Sequence, residues 1–204
     1  MSKRRYEQRL RAEAAEETRR RILDALYDRL RQAPADPVSV EEVARLARVA
    51  RSTVYLVFGS RSGLFDALTE HLFLGAGWDS IIEAFADPDA RETLRRGLAG
   101  GVQMYAAHHE VFRILNSMAK LDPDGVGQAL ARSERGRASG MARLARRLAR
   151  QGLLRAGVTP DYAAHVIWLL ASFDAYDSLT TGRELSQEAT ADILVHTAER
   201  ALLA

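Results

Sequence analysis

One short stretch, Arg51-Ser52-Thr53-Val54-Tyr55-Leu56-Val57-Phe58, gathers side chains suited to reading a nucleic acid. The planar fork of Arg51 fits the O6 and N7 edge of guanine. Ser52 and Thr53 can bond a base edge or a phosphate, and Tyr55 a phosphate through its hydroxyl. Leu56 can rest on a thymine methyl. Arg61 follows at the start of a further helix, whose free N–H groups favour an anion. Ser39 and Arg48 lie just upstream, and Lys3, Arg4 and Arg5 could form an arm into the neighbouring minor groove.

Other groups promise less. His108-His109-Glu110 has the look of a metal site, but adjacent helical side chains diverge by about 100°. No histidine stands four residues away, so the run reads as a polar helix start. There is no cysteine, which excludes disulfides and thiolate metal sites. No nucleophile–base pair and no glycine-rich phosphate loop is evident. The expectation is a protein without catalytic residues, metal or cofactor. Seven arginines between Arg132 and Arg150 read as a solvated helix face, with a second nucleic-acid surface as the alternative.

Composition sets the frame for these residues. Residues 1–61 hold 14 Lys and Arg against 9 Asp and Glu, and the remainder 15 against 18. A basic first third on an acidic remainder points to an anionic partner for the first part only. No apolar run is long enough to span a membrane, and the basic N-terminus is followed by none, so a cytoplasmic protein is expected.

The periodicity is helical nearly throughout, and the fold class is all-α. Ala15 to Leu30 predicts a first helix ending near Gln32. Ser39-Val40-Glu41-Glu42 is a capping box opening a second helix. A third runs from Arg51 to Phe58, closed by Gly59, and Ser60 caps a fourth carrying Leu64, Phe65, Leu68 and Leu72. Longer helices follow, among them one from Pro88, one ended by LDPDG at Leu121 to Gly125, an almost wholly apolar one from Pro160 to about Thr181, and a last from Ser186. Ser39–Ala47 and Arg51–Phe58, joined by Arg48-Val49-Ala50, have the length and spacing of a helix-turn-helix. Its second helix would lie in the major groove, with Val54 and Phe58 facing the core and Ser52, Thr53 and Leu56 facing out.

The segment VEEVARLARVARSTVYLVFGSRSGLFDAL resembles the DNA-binding motif of the TetR family of transcriptional regulators. Val43, Ala44, Ala47, Val49, Thr53, Val54, Tyr55, Phe58, Ser60 and Leu64 match its pattern. Three positions depart from it. Arg48 stands where the family has glycine, Ala50 replaces a serine cap, and Val57 replaces a phosphate-contacting histidine or tyrosine. Arg61 replaces a lysine and keeps the charge.

The resemblance implies three parts: a DNA-binding domain with its basic arm over 1–61, a linking helix over 62–78, and an effector-binding and dimerisation domain over 79–204. It implies double-stranded operator DNA as partner, a homodimer through the last two helices, and release by a small apolar effector. Trp78, Met104, Tyr105, Phe112, Met118, Phe173, Asp174 and Tyr176 are the candidate pocket residues. Asp174 and Asp177 lie in an apolar helix where a carboxylate needs a partner or water, and Asp177 is expected at the wet edge. Two alternatives remain: an effector-independent or activating DNA-binding protein, and a helical-bundle enzyme.

Overall fold

The computed structural model describes residues 3–34, 36–73 and 77–204, with side chains from Glu7 onward. Among the described residues the regular secondary structure is helical apart from an isolated bridge between Leu154 and Leu203. The helices are α1 (Lys3–Gln32), α2 (Val40–Leu46), α3 (Arg51–Phe58), α4 (Arg61–Phe73), α5 (Trp78–Ala86), α6 (Ala90–Ala107), α7 (His109–Leu121), α8 (Gln128–Arg150), α9 (Pro160–Leu170), α10 (Phe173–Thr180) and α11 (Gln187–Leu202). A π-helical turn, Pro123–Gly127, leads into α8. Among the described residues no helix is long and apolar enough to cross a membrane.

The chain forms two compact units, and the division is not linear in sequence. The first comprises residues 1–71 and 113–130, the second 72–112 and 131–204. In the first, Ile22, Leu23, Leu26 and Leu30 of α1 are buried, as are Val40, Val43 and Ala44 of α2, Val54 of α3, and Leu64, Phe65 and Leu68 of α4. Removing these side chains from water is the main drive to assemble helices too short to persist alone. α1 is longer than the apolar pattern suggested. Its first half, from Glu7 to Glu17, is exposed on every side, so it leaves no amphipathic signal.

Arg29 is buried in this unit with its charge satisfied. It donates to the Glu42 carboxylate at 2.6 Å and to the carbonyls of Ala33 and Pro37 at 2.8 and 3.4 Å. That interaction changes one detail of the capping box. Ser39 does accept from the Glu42 N–H at 3.1 Å, but the Glu42 side chain goes to Arg29. A buried guanidinium outbids a solvated amide for a carboxylate.

The second unit centres on Leu94 and Leu98 of α6, Leu144 and Leu148 of α8, Ala163 and Ile167 of α9, and Ala198 and Leu202 of α11. The long helix expected from Pro160 to Thr181 is two helices. Ser172 adopts extended backbone (ψ 155) and caps α10 by accepting from the Ala175 N–H at 3.1 Å. Its hydroxyl also donates to the Leu169 carbonyl at 2.7 Å, and Tyr105 donates to the Ala171 carbonyl at 3.2 Å. The break therefore costs few unmet backbone groups.

Candidate nucleic-acid interface

α2 and α3 are joined by a Schellman turn. The Arg48 N–H bonds the Arg45 carbonyl at 3.2 Å, and the Val49 N–H bonds the Ala44 carbonyl at 3.0 Å. Arg48 occupies the left-handed position, with φ 55. A glycine would sit there freely, whereas an L side chain is strained by about 1–2 kcal/mol. Ala50 has extended backbone (ψ 148), the geometry of a cap residue, but its side chain makes no capping bond. At the other end of α3, Gly59 takes φ +74, and Ser60 then caps α4 by accepting from the Gly63 N–H at 2.9 Å.

This framework fixes what α3 presents. Val54 is buried and Phe58 half-buried, with the Arg19 guanidinium 5.1 Å from the Phe58 ring centroid. Arg51 and Ser52 are exposed, Thr53 half-buried, Tyr55 38% exposed and Leu56 86% exposed. Arg51 lies 5.6 Å from the Tyr55 ring centroid. The neighbouring Tyr55 is the main cause that raises the Arg51 pKa above its ordinary value. Ser39, Arg45 and Arg48 are also exposed. Arg45 adds a cation beside the turn that the motif pattern does not single out. Lys3, Arg4 and Arg5 form the first turn of α1, a helical backbone rather than an extended arm; their side chains lie outside the described residues.

Arg61 is placed differently from the phosphate-facing position expected of it. Its guanidinium forms an ion pair with Asp122, donates to the Val38 carbonyl at 3.1 Å, and covers the Phe65 ring at 5.1 Å. The reason lies in the π turn. Asp122 caps it, accepting from the N–H groups of Gly125 (3.0 Å) and Val126 (3.4 Å), and so holds a fixed anion within reach of α4. Burial pushes the Asp122 carboxyl upward, but Arg61 and the two amides outweigh it and hold the pKa below the ordinary value.

The candidate pocket residues separate. Met118 belongs to the first unit. In the second unit Tyr105, Phe112, Phe173 and Tyr176 are buried in one aromatic cluster. Tyr105 meets Phe112 edge-on at 5.1 Å and Phe173 at 5.4 Å, and Tyr176 lies 5.7 Å away. Trp78 joins through Phe73, which stacks on it at 5.5 Å and on Phe112 at 6.2 Å. Burial pushes the Tyr105 hydroxyl up to about 12. Met104 is buried and Asp174 exposed.

None of the eight candidates lines either of two open surface concavities of about 360 Å³, which share Gln103 of α6 and Gln187 of α11. Asp177 is not simply at a wet edge. It pairs with His109 at 2.5 Å and accepts from Thr181 at 2.8 Å, and the His109 ring stands edge-on to Tyr176 at 5.4 Å. This link joins α7 to α10 across 68 residues of chain, a separation that helical spacing cannot reveal.

Residues 22–68 match the bacterial regulatory proteins of the tetR family. No curated protein matches the chain in sequence. Among solved structures, NalD of Pseudomonas aeruginosa, the secondary repressor of the MexAB-OprM multidrug efflux pump, is 23% identical. The match covers 94% of this chain and 98% of NalD, with a TM-score of 0.70. A TetR-family transcriptional regulator from Pectobacterium atrosepticum is 25% identical over 94% of this chain and 96% of its own, with a TM-score of 0.63. A third, from Syntrophomonas wolfei, is 17% identical over 90% and 94%, with a TM-score of 0.75. With its helix-turn-helix inside the matched residues, the chain carries a DNA-binding domain of the tetR family over residues 22–68 and has the fold of TetR-family regulators, and it is a DNA-binding transcriptional regulator.

Proposed function

We propose that the protein is a cytoplasmic repressor that binds a near-palindromic operator as a homodimer and is released by a small apolar effector. The observation that carries the reading is the outward face of α3. A leucine 86% exposed stands there with Arg51, Ser52 and Tyr55 on a well-packed helical unit. Such a face suits contact with base edges and a thymine methyl. Arg48 stands beside it where a phosphate would lie, while Arg61 is already engaged by Asp122. The repressor sense is supported by NalD, itself a repressor.

The dimer is supported by large apolar side chains left in water on the last helices. Tyr162, Trp168 and Leu169 of α9 and Ile193 of α11 are exposed. A two-fold pair would cover them and set two α3 helices one DNA turn apart, about 34–36 Å. The effector would enter the aromatic cluster around Tyr105 beside the α9–α10 break. It must bind one conformation better than the other, or nothing shifts.

Genomic footprinting tests the whole reading. Protected sites with two-fold symmetric half-sites one helical turn apart are expected, and protection without symmetry would refute the dimeric operator. A second reading, an effector-independent or activating regulator, is favoured by the close packing of the cluster. Compounds that raise the melting temperature and release the footprinted DNA would exclude it.

A further inference from the structure

α8 carries seven arginines, one glutamate and no lysine. The rest of its unit has the opposite bias: residues 72–112 and 151–204 hold six arginines against thirteen Asp and Glu. Positive charge is thus gathered on one helix of an otherwise acidic unit. Arg147 and Arg137 are engaged inside it. Arg147 donates to the carbonyls of Phe85, at 3.1 Å, and Asp87. Arg137 bonds the Trp168 carbonyl at 2.5 Å, pairs with Glu134, and lies 4.9 Å over the Trp168 ring.

Arg135, Arg143, Arg146 and Arg150 are exposed, and no ion pair to a carboxylate holds any of them among the described residues. At about 100° per residue these four and Arg132 fall within an arc of roughly 80°. They form a single file along about 27 Å of helix axis. Neighbouring members repel one another along the helix, so the row is relieved when an anion lies over it.

We infer that this arginine file is a second surface for duplex DNA, binding the phosphates of a segment not held by the helix-turn-helix. The residues beside the file decide between polyanions. The other exposed positions of α8 are Gln128, Ala131, Gly136, Ala138 and Ser139, with no large apolar side chain. A helix that lies on a membrane sets leucine or aromatic side chains beside its cations. A protein-binding hot spot needs the same anchors. A phosphate backbone needs neither. Guanidinium forks match phosphate oxygens two at a time, which suits a row made only of arginine. The surface carries no means of reading bases, so it holds any sequence and lets one protein bridge two segments.

The inference goes beyond the operator reading, and one experiment separates the two. Four full-length proteins are compared by fluorescence anisotropy on a duplex of arbitrary sequence across a salt series: wild type, R143Q/R146Q/R150Q, T53A/Y55A, and the two sets combined. Circular dichroism confirms that each folds. The α3 variant should keep residual binding that falls steeply with salt. Each phosphate that the α8 substitutions leave without its arginine should flatten the log–log slope by about 0.9, and the combined protein should bind little. Identical slopes with and without the α8 substitutions would overturn the inference and leave the operator reading standing. Full binding by the α3 variant, abolished only by the α8 substitutions, would uphold the inference and count against the operator reading. Recruitment to anionic phospholipid vesicles without residual duplex binding would assign the file to a membrane and overturn it.

Discussion

Arg51 and Arg61 stand ten positions apart in one basic motif, yet the structure gives them different surroundings. Arg51 is exposed and braced by Tyr55, free to reach a base edge. Arg51→Ala should cost about 1–3 kcal/mol on the footprinted site and relax preference at one base pair. An equal loss on random DNA would remove it from base readout. Arg61 is half-buried and held by Asp122. Because the folded Asp122 pKa lies below the unfolded value, the pair stabilises the protein above the ordinary carboxylate pKa of about 4. That contribution is lost as pH falls through the folded value. Asp122→Asn should therefore lower the melting temperature at neutral pH, and the gap from wild type should close in acid. Melting curves from neutral to strongly acidic pH check this, and a gap independent of pH would mean the ion pair adds nothing.

At the scale of elements, the turn between α2 and α3 carries two correctable costs. Arg48→Gly removes left-handed strain of about 1–2 kcal/mol but adds freedom to the unfolded chain, for a net gain of about 1 kcal/mol at most. Ala50→Ser supplies the missing cap and should add about 1 kcal/mol. Chemical denaturation of both variants measures the gains, and a loss from Ala50→Ser would show that the serine clashes or caps nothing. Both positions stood out in the sequence through the resemblance, as departures from the family pattern, and the structure gives the reason, since a Schellman turn and a helix cap each make fixed demands on one residue. The outward face of α3 was legible because helical spacing places Leu56 opposite Val54. The break at Ser172 was missed although its cap is local, because the apolar run on both sides of it hid the serine, and the Tyr105 bond that also meets it comes from 66 residues upstream. The partners of Arg61 and Asp177 were hidden likewise, both lying more than sixty residues away. The pocket candidates were chosen by residue type, and type alone does not separate rings that line a cavity from rings that fill one.

For the molecule as a whole, the proposed dimer is the part most directly open to test. Leu169 is 59% exposed on α9 beside Trp168 at 38%. If α9 and α11 meet their copies, Leu169→Arg should shift equilibrium sedimentation from dimer to monomer at micromolar concentration and weaken operator binding, with the fold intact. A wild-type monomer at that concentration would refute the dimer. The grouping of residues 113–130 with residues 1–71 has a different consequence, for how the protein can be taken apart. That segment supplies the buried Leu115, Val126 and Ala129, and the Asp122 that holds Arg61. A fragment cut after α4 would contain every residue of the helix-turn-helix yet lack part of the body it folds with. It should melt well below the intact chain. The regulator would then resist the modular dissection its motif invites: the reading head is local in sequence, but its foundation is not.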